Sequence, residues 1–229
     1  MNKTTVVAFL ILASNNLFAS NILPEINEIE SNWANIYYSE NTTQQKKHYP
    51  ALIEKTKKLS ESHPEAMEAV IWHAILIATN AAYESPFTAL ESINTAKRLL
   101  ERSITIKPDA LEGAGLVVLG TLYYMTPGWP ISFGNQDKAE SLFRRALQIN
   151  PDSIDSNYFY ADFLLTQDDL KNAQIYFKRA VQSPTRPHQK FADTQLKKEA
   201  LLALKNTEFR KLETGKNKFL SLFSSANSQ

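Results

Sequence analysis

Apolar residues recur along most of this chain at intervals of three and four positions, the period of a helix with one buried face. The pattern predicts helices near residues 25–38, 44–61, 65–83, 87–106, 110–124, 136–149, 154–166, 169–182 and 188–211. No convincing run alternates apolar and polar residues, so strands are not expected. Glycines number only 6, and the 10 prolines sit mostly at segment borders, where they end helices. Pro50 is an exception: it either kinks the second helix or opens it at its first turn.

Internal self-similarity is the stronger signal. Ala139, Phe143, Ala146 and Pro151 are spaced by four, three and five residues, and Ala96, Leu100, Ser103 and Pro108 repeat those offsets. Ala173, Phe177 and Ala180 repeat them again, with Pro184 one residue early. This is the logic of a tetratricopeptide (TPR) repeat: small residues let two helices approach, a large one fills the gap, and proline ends the second helix. Ala139 to Ala173 is 34 residues, the period of that repeat. Ala96 to Ala139 is 43, and the excess falls in an insertion over 127–133, between a helix ending near Tyr123-Tyr124 and one starting near Asn135. The expected fold is an all-α, TPR-like α-solenoid of antiparallel helical hairpins. Helices before Pro64 and after Pro187 are expected to cap its exposed ends.

The two ends of the chain read differently. Lys3, the apolar run Val6 to Ala13 and the small residue Ala19 form the pattern of a signal peptide over 1–19, cleaved near Ala19-Ser20. Its apolar core is much shorter than the roughly 20 residues that cross a bilayer as a helix. No later segment is long and apolar enough to do so, and an exported protein with no direct membrane span is expected. The helical domain then occupies 20–211. Residues 212–229, rich in Ser, Asn and Lys, read as a partly ordered tail.

Charge and composition exclude several functions. The chain has 25 basic and 24 acidic residues, interleaved at helical spacing, so it lacks the basic patch that nucleic acid requires. The cluster Lys46-Lys47 with Lys55, Lys57 and Lys58 reads as a solvated helix face. There is no cysteine, hence no disulfide and no lipid-modified cysteine at the cleavage site. His48, His63, His73 and His188 are far apart, with no H-x-x-x-H or H-E-x-x-H pair to hold a metal. No Gly-rich phosphate loop and no G-x-S-x-G elbow occur. No catalytic residue, metal or cofactor is expected, and His73 beside Trp72 reads as a core residue.

The segment Thr126-Pro127-Gly128-Trp129-Pro130-Ile131-Ser132-Phe133-Gly134, followed by a proline-ended repeat helix and Ile154-Asp155-Ser156-Asn157-Tyr158-Phe159-Tyr160-Ala161-Asp162-Phe163-Leu164, resembles the T component of tetratricopeptide-associated TRAP transporters. Residues 110–183 carry the resemblance. It implies a periplasmic, all-helical protein that forms a homotrimer, docks with a periplasmic solute-binding P component and encloses a pore or cavity for an apolar ligand. Members with a lipoprotein signal are tethered by a cysteine, which this chain does not have.

Two constellations are candidate sites. In the insertion, Pro127 and Pro130 stiffen the loop while Gly128 and Gly134 permit unusual backbone angles, so Trp129 and Phe133 can be held in place. With Tyr123 and Tyr124 they either line a ligand cavity or subunit interface, or plug the solenoid as core. On the first helix of the last repeat, Asp155 and Asn157 are candidates for a peptide backbone or polar head group. Tyr158 there is placed to stack or donate a hydrogen bond. The structural alternative puts Tyr160 and Phe163 in the hairpin core and Asp155 at a helix N-terminus. Two functions follow. One is an accessory protein of TRAP-type solute uptake, docking the solute-binding subunit and holding an apolar or organic-acid ligand in a channel near Trp129. The other is a general cell-envelope scaffold whose concave groove binds a peptide or helix, with no small ligand.

Overall fold

The computed structural model describes residues 22–208. The expected signal peptide and C-terminal tail lie outside them. The described helices are α1 (Leu23–Ser39), α2 (Thr42–Ser62), α3 (Met67–Asn80), α4 (Pro86–Ile106), α5 (Ala114–Met125), α6 (Gln136–Ile149), α7 (Ile154–Thr166), α8 (Leu170–Gln182) and α9 (Lys190–Glu208). Short 3-10 turns occupy Ala81–Tyr83, Ala110–Gly113 and Pro187–Gln189. No strand forms among the described residues; Gly128 and Gly134 share an isolated bridge.

Local chemistry sets most boundaries. Asn41 and Gln44 form a reciprocal capping box at the start of α2, and Ser85, Asn135, Ser153 and Asp169 each accept a backbone N–H at the start of α4, α6, α7 and α8. Pro50 lies in the interior of α2, not in its first turn. The helix expected from residue 110 starts later. Leu111, Glu112 and Gly113 take positive φ values of 49°, 56° and 86°, so the chain turns left-handed before α5 begins at Ala114.

The three expected hairpins form, α3 on α4, α5 on α6 and α7 on α8. Their shared offsets mark the closest contacts: Ala96, Leu100 and Ser103, Ala139, Phe143 and Ala146, and Ala173, Phe177 and Ala180 are all fully enclosed. Ser103, standing where the other repeats have alanine, donates its hydroxyl to the Leu100 carbonyl at 2.8 Å, so the substitution leaves no buried donor unpaired. Helices α4, α6 and α8 are apolar on one face only. Helices α3, α5 and α7 are buried almost all round, because their second face turns inward.

The flanking helices do more than cap. Helices α1 and α2 form a fourth pair in which Gln45, Tyr49 and Leu52 keep the offsets of four and three. Helix α9 packs on α7 and α8 and also meets α1, which touches the Pro187–Gln189 turn as well. The array therefore bends until its first and last described helices meet, with α1, α3, α5, α7 and α9 facing inward.

Phe143 is the central filler of the α5–α6–α7 region, with Tyr124, Tyr160 and Phe163 ring centroids 6.0, 5.9 and 5.7 Å away. Gly120 makes room for it: a Cβ there would lie 3.2 Å from Phe143 Cζ. Phe143→Ala is expected to lower stability by about 3–5 kcal/mol, measured by urea unfolding.

Candidate functional site

The inward faces enclose a cavity of about 280 Å³. Trp33, Tyr37 and Tyr38 reach it from α1, Trp72 from α3, and Tyr158 and Phe159 from α7. Val117, Val118 and Leu122 of α5 supply an aliphatic wall. Leu23, Glu112 and His188 are exposed and mark the rim. The left-handed turn at Leu111 and Glu112 also borders the cavity, and left-handed non-glycine residues are costly enough to be concentrated where geometry matters. A smaller space of about 60 Å³ adjoins at Glu30, Trp33, Trp72 and His188.

The aromatic residues form a continuous cluster. Trp33 stacks on Tyr37 with centroids 5.2 Å apart, meets Tyr38 edge-on at 6.1 Å and tilts against Trp72 at 5.7 Å. Tyr37, Tyr38 and Tyr158 are held above the ordinary phenol range, first by burial. Glu199 adds to the shift in all three, and Asp162 does so in Tyr158. These phenols remain neutral at physiological pH.

Charge is unevenly distributed in the lining. Glu30 is 5% exposed; its Oε1 accepts from Trp72 Nε1 at 3.2 Å, while its Oε2 is buried with no hydrogen bond, His188 Nε2 lying 3.9 Å away. Burial raises the Glu30 pKa against the lowering influence of Gln189, His188, Trp72 and Arg186. Arg186 joins α7 to α9 by reaching Asp155 Oδ2 at 2.8 Å and Asp193 Oδ1 at 2.6 Å. Its backbone N–H also donates to Asp193 at 2.7 Å. Asp193 is 1% exposed, so this guanidinium compensates a buried carboxylate.

Of the sequence candidates, Asp155 and Tyr158 line the cavity. Asn157 does not: it is fully enclosed and donates its amide to the Pro151 and Ser153 carbonyls, both at 2.8 Å, tying the entry of α7 together. Tyr160 and Phe163 are core, in line with the structural alternative. His73 is also core, its ring 3.2 Å from the Thr56 hydroxyl and its pKa lowered mainly by burial. Tyr123, Tyr124, Trp129 and Phe133 do not line this cavity. Tyr123 packs against Phe133 and Tyr124 against Phe163. Tyr123 donates to Glu101 at 3.2 Å, and Tyr124 donates to the buried Asp162 at 2.5 Å.

The insertion instead projects outward. Phe133 packs edge-on against Tyr123 at 5.4 Å and has Lys97 5.5 Å from its ring centroid. The loop is bound to itself through Gly134 N–H to the Pro127 carbonyl, 2.9 Å, and anchored to α5 through Asn135 N–H to the Tyr123 carbonyl, 2.9 Å. Only glycine fits at 134, where a Cβ would lie 2.0 Å from the Thr126 carbonyl oxygen. Trp129 is 89% exposed and Ile131 70% exposed, so the loop displays two large apolar side chains to solvent. Sequence reasoning missed the α1 aromatic set. Its signal was Trp33, Tyr37 and Tyr38 on one helix at spacings of four and five.

Trp129→Ala is expected to change stability by less than about 0.5 kcal/mol, read from urea midpoints. Arg186→Met, by contrast, leaves Asp193 buried without its guanidinium. Its cost is expected at about 2–3 kcal/mol, below the roughly 3–5 kcal/mol of a fully buried broken pair because Arg186 is partly exposed. Restoration of the midpoint by the additional Asp193→Asn change checks that assignment.

Residues 154–184, spanning α7 and α8, match the tetratricopeptide repeat family. No curated protein matches the chain. No described helix is long and apolar enough to cross a membrane. Among the described residues no three His, Asp or Glu side chains converge as a metal-binding group. The chain is a TPR-containing all-α protein, and the repeat points to protein–protein interaction as its mode of action.

Proposed function

We propose that this protein is a periplasmic accessory protein of a TRAP-type uptake system. It holds a small ligand inside the helical ring and docks a solute-binding subunit with its outer surface. The observation that carries the reading is the cavity of about 280 Å³ on the inward faces of α1, α3, α5, α7 and α9. A scaffold that only grips peptides needs an open groove, whereas here α1 meets α9 and aromatic side chains crowd the space between. The volume lies near the lower end for small-molecule pockets, roughly 300 Å³ and upward. The resemblance of the Thr126–Gly134 segment to the T components supports the transport assignment, and we assign the docking contact to the loop bearing Trp129 and Ile131. The lining speaks against an organic-acid ligand, because carboxylates outnumber cations there. The general-scaffold reading, in which a concave groove binds a peptide or helix, rests on the repeat at 154–184.

Native mass spectrometry of the full chain purified from its own cell envelope tests the proposal. The expected result is a homotrimer carrying a small molecule and co-purifying with a solute-binding protein, the latter lost with Trp129→Ala. A ligand-free particle accompanied only by unrelated envelope proteins would replace it with the scaffold reading.

A further inference from the structure

The cavity that the proposed function fills with a ligand has a definite polarity, and we infer that its ligand is an organic cation. A quaternary or protonated amine would sit among Trp33, Tyr37, Tyr38 and Trp72 with Glu30 as its counter-ion, and an aliphatic tail would lie along α5. This inference rests on the small-ligand reading and narrows it to a chemical class.

Three independent observations converge. The first is the aromatic cluster. Trp33, Tyr37 and Tyr38 present mutually stacked and edge-on rings to one space, with Trp72 closing it from α3. A cation against such faces gains from the ring quadrupoles, most of all when water is excluded. The second is Glu30 itself. It stands beside the aromatic rings with its Oε2 buried and no hydrogen bond to it, His188 Nε2 lying beyond hydrogen-bonding distance at 3.9 Å. A buried carboxylate oxygen without a donor is unfavourable until something positive approaches it. A quaternary amine offers that charge without requiring a hydrogen bond. The third is the balance of the lining: Glu30, Glu112, Asp155, Asp193 and Glu199 face Arg186, with His188 as a second cation only when protonated. Arg186 is committed to Asp155 and Asp193 and has no role left as an anion receptor. Trp33 Nε1 is also buried without an acceptor, which leaves a place for one oxygen on the ligand.

Fluorescence makes the test specific. The chain has 3 tryptophans, and Trp129→Phe leaves Trp33 and Trp72, both in the cavity wall, as the only tryptophan reporters. In that background, hexyltrimethylammonium, hexanol and hexanoate are titrated against the full chain, following tryptophan quenching and confirming affinity by calorimetry. The cation is expected to bind about ten-fold or more tighter than hexanol, equivalent to roughly 1.4 kcal/mol or more, with hexanoate weakest. Glu30→Gln, which keeps an acceptor for Trp72, is expected to bring the ratio of cation to hexanol affinity most of the way to one. Trp33→Leu, a separate substitution at the aromatic wall, is expected to reduce the cation-to-hexanol ratio as well and keeps the test open if the first variant does not fold. Equal affinity for cation and hexanol, or a preference for hexanoate, would overturn the organic-cation inference while leaving a small-ligand cavity. Binding of none of the three would overturn both.

Discussion

The architecture depends on how closely each outer helix can press against its inner partner. At Ala139 and Ala146, and at their counterparts Ala96, Ser103, Ala173 and Ala180, a small side chain lets two backbones approach, and a large residue one turn away fills what remains. The large residue is Leu100 in one pair and Phe143 or Phe177 in the others, all fully enclosed. Because the three pairs use the same offsets, each hairpin packs in nearly the same way. Repetition of one packing relation along a chain generates a curved array, and the curvature brings α1 to α9.

Closure has an electrostatic consequence. Bringing α7, the Pro187–Gln189 turn and α9 together buries Asp193 and encloses much of Asp155. Two carboxylates in such a place repel unless a cation bridges them, and the fork of Arg186 reaches both at hydrogen-bonding distance. Glu30 is treated differently. It enters the same space from α1, accepts one indole N–H, and has no bridging guanidinium within hydrogen-bonding reach. The raised pKa of Glu30 expresses that difference: burial outweighs the influence of His188 and Arg186.

Much of this was legible in the chain because periodicity and small-residue offsets are local signals. Helix α6 was predicted to its observed ends, Gln136–Ile149, since Asn135 caps it and Pro151 stops the continuation. The fourth pair was harder to see: Gln45, Tyr49 and Leu52 keep the spacing but replace both small residues, and Pro50 obscures the pattern. The left-handed turn at Leu111–Gly113 was not legible, because neither Leu nor Glu announces a positive φ. Asn157 was misjudged for a different reason. A buried amide needs partners, and those of Asn157 are backbone carbonyls at the preceding turn, a relation that spacing along α7 does not reveal. The cavity was invisible because α1 contributes its aromatic residues from a helix more than a hundred positions away from α7.

Separation of the two surfaces has a mechanistic implication. Trp129 and Ile131 project outward from the α5–α6 connection, whereas the cavity is bordered by the opposite, N-terminal end of α5 at Leu111–Ala114 as well as by its inward face. Tyr123 and Tyr124 lie between them and are fixed on both sides. Tyr123 is packed by Phe133 and bonded to Glu101, and Tyr124 is bonded to Asp162 of α7. A protein that gripped the Trp129 loop, as proposed, would touch the end of a helix whose other face forms a wall of the cavity. Coupling between the surfaces would have to pass through that rigid helix and the Tyr124–Asp162 contact. It requires a ligand whose affinity differs between two positions of α5. Without such a difference the same geometry makes the two surfaces independent, and partner docking and ligand retention become separate properties of one ring.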